Sequence, residues 1–211
     1  GNVPSAFEAA TKALLAQHGD LLIQLAASSV LHGLDHGTPP KAVNGKFPRE
    51  LSDNGACFVT LKHGARLRGC IGSPQAHRPL VVDVVDNAFK SAFKDPRFKP
   101  LTAPELKNLT LSISVLSPQS PMTVTDQDDL LAQLRPGIDG LVIEDAGKRA
   151  LFLPSVWEQL PTPAQFVQHL KAKAGMTPDH WSEGFKARRF IAEEKKSSEY
   201  ANAADVWQGR G

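Results

Sequence analysis

Leu67-Arg68-Gly69-Cys70-Ile71-Gly72 gathers a guanidinium, two glycines and one of the chain's two cysteines into six residues. Cysteine chemistry runs through the thiolate, which forms near neutral pH where a cation, a helix N-terminus or a base favours it. Arg68 stands two residues from Cys70, and a helix starting at Pro79 can direct its first N–H groups at the same cleft. His77, in the loop between, is the candidate base. Cys70, Arg68 and His77 are therefore the candidate catalytic set. The same stretch also reads as a binding site. Arg68, the N–H groups after Gly72, and Arg97 in the Asp95-Pro96-Arg97-Phe98 turn can hold a phosphate or carboxylate, while Gly69 and Gly72 let it approach the backbone. A packing reading stands beside both: Cys70 as a small buried hydrophobe, the glycines in turns and close contacts, and Arg97 paired with Asp95.

Other chemistries draw less from the sequence. Cys57, Cys70 and His77 do not form a close-spaced ligand set, and His32 and His36, four apart on a helix end, have no third group placed to complete a site. No metal ligands are assigned and no cofactor is named. A Cys57–Cys70 disulfide requires the two to face each other across a hairpin. Lys186, Arg188 and Arg189 read as a solvated strand face. The aromatic interleaving of an RNA-reading sheet is missing, so nucleic acid is not the expected partner. It stands only within the alternative reading, a non-catalytic binding module for an anionic ligand or a nucleic acid. A net charge of +2 adds no argument for it.

The elements that must position these residues follow from periodicity. Residues 5–17 predict one helix, and Asp20 predicts the N-cap of a second running to about Leu34. A Gly/Pro-rich loop reaches to about Ser52. Ala56–Lys62 and Ala65–Ile71 predict a hairpin turning on His63-Gly64, which sets 62 against 65, 60 against 67, 58 against 69 and 57 against 70. Phe58 then lies over Gly69, and Arg66, Arg68 and Cys70 share a face. Pro79 to about Lys94 is strongly amphipathic. Thr102-Ala103-Pro104-Glu105 is a capping box. Leu109–Leu116 alternates as a half-buried strand. Beyond it come a short strand at 122–125, a helix from Gln127 to Leu134, and a hairpin of Gly140–Glu144 with Arg149–Leu153 around Ala146-Gly147. A helical turn at Pro154–Glu158, a helix over 163–173 capped by Thr162, a helix over Pro178–Glu183 and a last strand at Lys186–Ala192 complete the order. The segment from Glu193 is polar and is expected to be loosely ordered. The class this predicts is α+β, a two-layer sandwich of mostly antiparallel sheet with helices.

The chain's 211 residues, 41% hydrophobic and 22% charged, can bury a real core and match an ordinary soluble protein. No apolar run reaches the roughly 20 residues that span a bilayer, so no membrane partner is expected. Two cysteines and an N-terminal stretch without a signal-peptide pattern predict a cytoplasmic protein.

The hexapeptide resembles the signature of the AMMECR family. The resemblance continues through Gly55 and Phe58-Val59-Thr60-Leu61, Asp95-Pro96-Arg97-Phe98, and Ile113-Ser114-Val115-Leu116-Ser117-Pro118. It persists in Leu134-Arg135-Pro136-Gly137, Asp139-Gly140-Leu141, Phe152-Leu153-Pro154-Ser155-Val156-Trp157, Leu170-Lys171-Ala172-Lys173-Ala174-Gly175 and Trp181. It spans about residues 20–192, which leaves 1–19 as an N-terminal helical extension and 193–211 as a polar tail. It implies a large lobe and a smaller one, the latter within 117–160. Bacterial members of the AmmeMemoRadiSam system protein A type are most similar. That resemblance implies an accessory component or enzyme acting with a Memo-type protein and a radical S-adenosylmethionine enzyme. After Phe190 the chain departs from the pattern, with Glu193-Glu194-Lys195-Lys196.

Overall fold

The computed structural model describes residues 5–41, 47–200, 203 and 206–208. It divides into two compact units, Gly1–Leu116 with Glu193–Gly211, and Ser117–Ala192.

The first unit opens with α1, Ala6–His36, one continuous helix where the sequence predicts two. Ser5 and Glu8 close a capping box at its start, and Gly37 ends it in the left-handed conformation. Gly19-Asp20, which reads as a break, lies inside it. Leu15, Leu22, Ile23, Ala26 and Val30 keep one buried stripe across the glycine. The missing side chain also makes room for the Lys195 methylenes, which would lie 3.1 Å from an added Cβ. Packing outweighs a local propensity cost of about 1 kcal/mol. A short α2, Arg49–Ser52, follows in the predicted loop, residues 42–46 of which lie outside the described residues.

Strands β1, Asn54–His63, and β2, Arg66–Gly72, form the predicted hairpin in a different register. The turn is Gly64-Ala65, with Gly64 at φ 60°, so His63 faces Arg66 and Lys62 faces Leu67. A bulge then inserts Arg68, and the pairing resumes as Leu61 with Gly69, Thr60 with Cys70, Val59 with Ile71 and Phe58 with Gly72. Phe58 does cover a glycine, but Gly72 rather than Gly69. Cys57 pairs with Val115 on the far side, and both cysteines are free thiols, so the disulfide is absent. Next come a two-residue β3, Arg78–Pro79, paired with the start of β1, and α3, Leu80–Phe93, with Pro79 as N-cap. A 3-10 turn, Ala103–Asn108, carries the Thr102–Glu105 capping box into β4, Leu109–Leu116, which has the predicted bounds.

The second unit holds β5, Ser120–Met122; α4, Gln127–Gln133; β6, Gly140–Asp145; β7, Lys148–Phe152; α5, Pro163–Ala174; and β8, Lys186–Phe190. Its antiparallel sheet runs β5-β8-β6-β7. Ala146 and Gly147 both take positive φ (52° and 77°), as a two-residue hairpin turn requires. Trp157 stacks on Phe166 with ring centroids 3.9 Å apart, in a core shared with Leu141, Ile143 and Leu170. The helix expected over 178–183 is absent. Lys171 Nζ takes the carbonyls of Pro178 (3.3 Å) and His180 (2.6 Å), and Asp145 takes the Ser182 hydroxyl, which hold this segment as turns.

The chain then returns as β9, Ala192–Lys196, completing the first sheet in the order β2-β1-β4-β9, with β3 on β1. The described residues of the segment expected to be loose are therefore tied down. Ser197 Oγ accepts the Leu111 N–H (3.1 Å), Trp207 Nε1 donates to Leu109 O (2.8 Å), and Val206 is buried. The fold class is α+β, as expected.

Candidate functional site

Alternation along β1 assigns its two faces. Cys57, Val59 and Leu61 join α1 and α3 in the core, while Phe58 and Thr60 turn to the opposite face. Register then sets three side chains in one row across three strands: Cys70, Thr60 and Ser112. Cys70 is part-buried, and the Thr60 hydroxyl lies 3.3 Å from its Sγ. The adjoining row is Gly72, Phe58 and Ser114. A thiol thus stands on a floor of hydroxyls beside one aromatic ring. Cys57, one strand away on the core face, is fully enclosed, and burial, with nearby Asp83 adding to it, pushes its thiol up.

The backbone of Cys70 is pinned from outside the sheet. Its N–H donates to Asp95 Oδ2 (3.0 Å), and Arg97 Nη2 donates to its carbonyl (3.4 Å). Arg97 also grips Asp95 through Nε (3.0 Å) and Nη2 (2.8 Å). That pairing first, then the Cys70 and Arg97 N–H groups, holds the Asp95 carboxyl well below the usual range. Ser91 of α3 accepts the Ile71 N–H (3.1 Å), and its hydroxyl lies 2.7 Å from Val59 O.

Arg68 leaves the ladder at the bulge and turns to the 3-10 turn. Its Nε donates to Glu105 Oε1 (2.8 Å) and its Nη2 to Lys99 O (2.7 Å). His63 Nε2 lies 3.2 Å from the same Glu105 oxygen. Arg68 above all draws the Glu105 carboxyl down to about 2. Nη1 of Arg68 is buried and has no partner among the described residues.

The two glycines are filled spaces rather than open ones. A Cβ on Gly69 would sit 2.0 Å from Ser91 O, and one on Gly72 would sit 2.5 Å from Cys57 O and from the Phe58 ring. His77 is exposed, its Nδ1 3.0 Å from Gln75 O, and no hydrogen bond joins it to Cys70 among the described residues. The start of α3 is also engaged. Leu80 N–H donates to Asp53 O (3.0 Å), and Arg78 pairs with Asp83 (2.7 Å) and Asp86 (3.0 Å). The structure therefore joins Cys70 to Asp95 and Arg97, directs Arg68 to Glu105 instead, and packs Gly69 and Gly72 against backbone. It shows no hydrogen bond from His77 to this stretch among the described residues.

Sequence reasoning missed Thr60, Ser112, Arg78 and Asp83, and read Glu105 only as a cap. Alternation in β1 and β4 marks Thr60 and Ser112, but their row with Cys70 depends on the bulge. Asp83 carries a first-turn acid signal, although its buried 2.9 Å bond to Cys57 N–H is tertiary.

In the second unit, polar clusters fasten loops. Asp145 Oδ2 takes both His180 Nε2 and Ser182 Oγ at 2.7 Å, and Lys171 adds Gln127 Oε1 to its two carbonyls. Burial draws the Lys171 ammonium down. Among the described residues, no group of three His, Cys, Asp or Glu is placed to hold a metal, and no helix is long and apolar enough to cross a membrane.

The family model described as AMMECR1 matches residues 23–195. A protein of Methanopyrus kandleri is 32% identical over 177 residues, covering 80% of this chain and 82% of that one. One of Methanocaldococcus jannaschii is 35% identical over 161 residues, covering 72% and 78%. The crystal structure of an uncharacterised protein from Pyrococcus horikoshii matches with a TM-score of 0.70 at 32% identity, over 84% of this chain and 90% of that one.

Proposed function

We propose, for a chain that belongs to the AMMECR1 family, a role as an accessory component whose working group is Cys70. It would act with a Memo-type protein and a radical S-adenosylmethionine enzyme of the AmmeMemoRadiSam kind, in modifying a small molecule or a protein. The observation that carries this reading is the part-buried Cys70 thiol on the polar face of the first sheet, with its peptide gripped on both sides by Asp95 and Arg97. Such pinning fixes where the sulfur stands. Thr60 can donate its hydroxyl proton to Sγ across 3.3 Å, which orients the sulfur. No acid–base side chain hydrogen-bonds the sulfur among the described residues, and this favours an accessory component over a self-sufficient enzyme. The partner would bring the electrophile and accept the proton. Arg68 acts through Glu105, as a positioning residue for the bulge that sets Cys70 opposite Thr60.

A second reading, a binding module for an anionic small molecule, is favoured by the buried, unpartnered Nη1 of Arg68. The two readings separate by substitution. In a strain or reconstituted pathway lacking the native protein, Cys70→Ser abolishes output on the first reading, while melting temperature stays at wild type. On the second, Cys70→Ala is silent and Arg68→Lys fails. Wild-type output from Cys70→Ser and Arg68→Ala alike defeats both readings.

A further inference from the structure

We propose that the end of the first sheet carrying the β1–β2 turn is a docking surface for an acidic protein partner. Segments 62–68 and 94–107 hold seven Lys or Arg against two Asp or Glu, a local charge of +5 in a chain of +2. The other 190 residues therefore carry −3. Both local acids are paired: Asp95 is buried under Arg97, and the half-buried Glu105 is engaged by Arg68 and His63. Lys62, Arg66, Lys94, Lys99 and Lys107 are exposed, and none makes an ion pair among the described residues. Hydrogen bonds from Arg68 to Lys99 O and Glu105, with His63 Nε2 3.2 Å from the same Glu105 oxygen, knit the two segments into one surface.

Three observations choose the kind of partner. Leu67, paired with Lys62 just before the bulge and flanked by Arg66 and Arg68, is 38% exposed, an apolar side chain among cations. Protein interfaces reward that combination, because a central apolar contact supplies affinity while surrounding charges steer the approach. The Phe98 ring, the aromatic group of these segments, is already engaged by cations rather than held open for a nucleobase, with the guanidinium carbons of Arg68 and Arg97 5.8 and 5.5 Å from its centroid. Nor does β2 offer an open edge at Cys70, where Asp95 and Arg97 cap the N–H and the carbonyl. A two-fold contact with a second copy would set +5 against +5. An acidic protein face that receives Leu67 meets all these conditions. The inference adds a surface to the proposed role and does not rest on the Cys70 thiol.

Fluorescence anisotropy on the full chain tests it, with a labelled Glu-rich peptide carrying leucines as one probe and a single-stranded RNA of equal charge as the other. Expected is peptide binding that weakens about tenfold in the triple variant Lys62→Gln, Arg66→Gln, Lys99→Gln. Leu67→Asn should weaken the peptide about threefold and leave RNA unchanged. Circular dichroism on each variant reports that the fold is kept. The proposal is overturned if the peptide does not bind, if the triple variant binds it as wild type does, or if RNA binds more tightly than the peptide.

Discussion

Cys57 and Cys70 lie on neighbouring strands, yet their surroundings differ at every level. Cys57 faces α3, has no exposed surface, and its N–H, carbonyl and sulfur are taken by Asp83 and Asn87. Cys70 faces away from α3, is part-buried, and is gripped through its backbone, while among the described residues the Thr60 hydroxyl is the one hydrogen-bond partner of its sulfur. One residue type thus meets two environments according to which side of a pleat it occupies. The face is set by a bulge and by two glycines that let α3 and Phe58 come close.

The largest effect should come from breaking that closeness. Gly69→Ala places a methyl 2.0 Å from a helix carbonyl, where backbone must move. We expect a loss of at least about 3 kcal/mol, read as a fall in melting temperature of roughly 10 °C. Next is the Cys57 side of the comparison. Asp83→Ala leaves the Cys57 N–H without its acceptor and Arg78 with Asp86 as its remaining carboxylate, and should cost about 2–3 kcal/mol in urea unfolding. The two cysteines themselves sharpen the contrast. Cys57→Ser buries a hydroxyl and should cost about 2 kcal/mol, whereas Cys70→Ser should stay within about 0.5 kcal/mol of wild type.

The smallest effect is the pH dependence of the Arg68–Glu105 pair that supports the bulge. Glu105 is depressed from 4.5 to about 2, so its contribution is full above pH 4.5 and is lost as pH falls toward 2. Urea unfolding of wild type and Glu105→Gln should differ by about 1 kcal/mol at pH 6 and converge near pH 2. A difference that persists unchanged at pH 2 would assign Glu105 a role other than its charge.

Much of this was open to sequence reading, for definite reasons. Leu109–Leu116 alternates so regularly that its strand bounds follow directly, and Ala146-Gly147 names its own turn. Pro79 and the apolar rows of α3 mark a helix that needs no tertiary help. The candidate site was read less completely. The stretch itself was visible, but the row Cys70–Thr60–Ser112 depends on where one residue is inserted, and Arg68 bulges out to meet a carboxylate 37 residues on. Nothing local encodes that partner. His77 is close to Cys70 in sequence, but it is exposed and its ring nitrogen meets Gln75 O in its own loop. The segment after Glu193 misled for a related reason: its polar strand is held by β4, and its apolar anchor, Val206-Trp207, arrives only after a polar stretch.

The most direct test of the central contrast is alkylation of the native wild-type protein with iodoacetamide, with the modified residue located by mass spectrometry. Because Cys57 is enclosed, no substitution is needed to isolate the other thiol. One label per chain, at Cys70, with Cys57 reacting only after denaturation, is the predicted result. Native protein that takes no label, or takes it at both cysteines, would contradict a positioned, addressable thiol on the polar face.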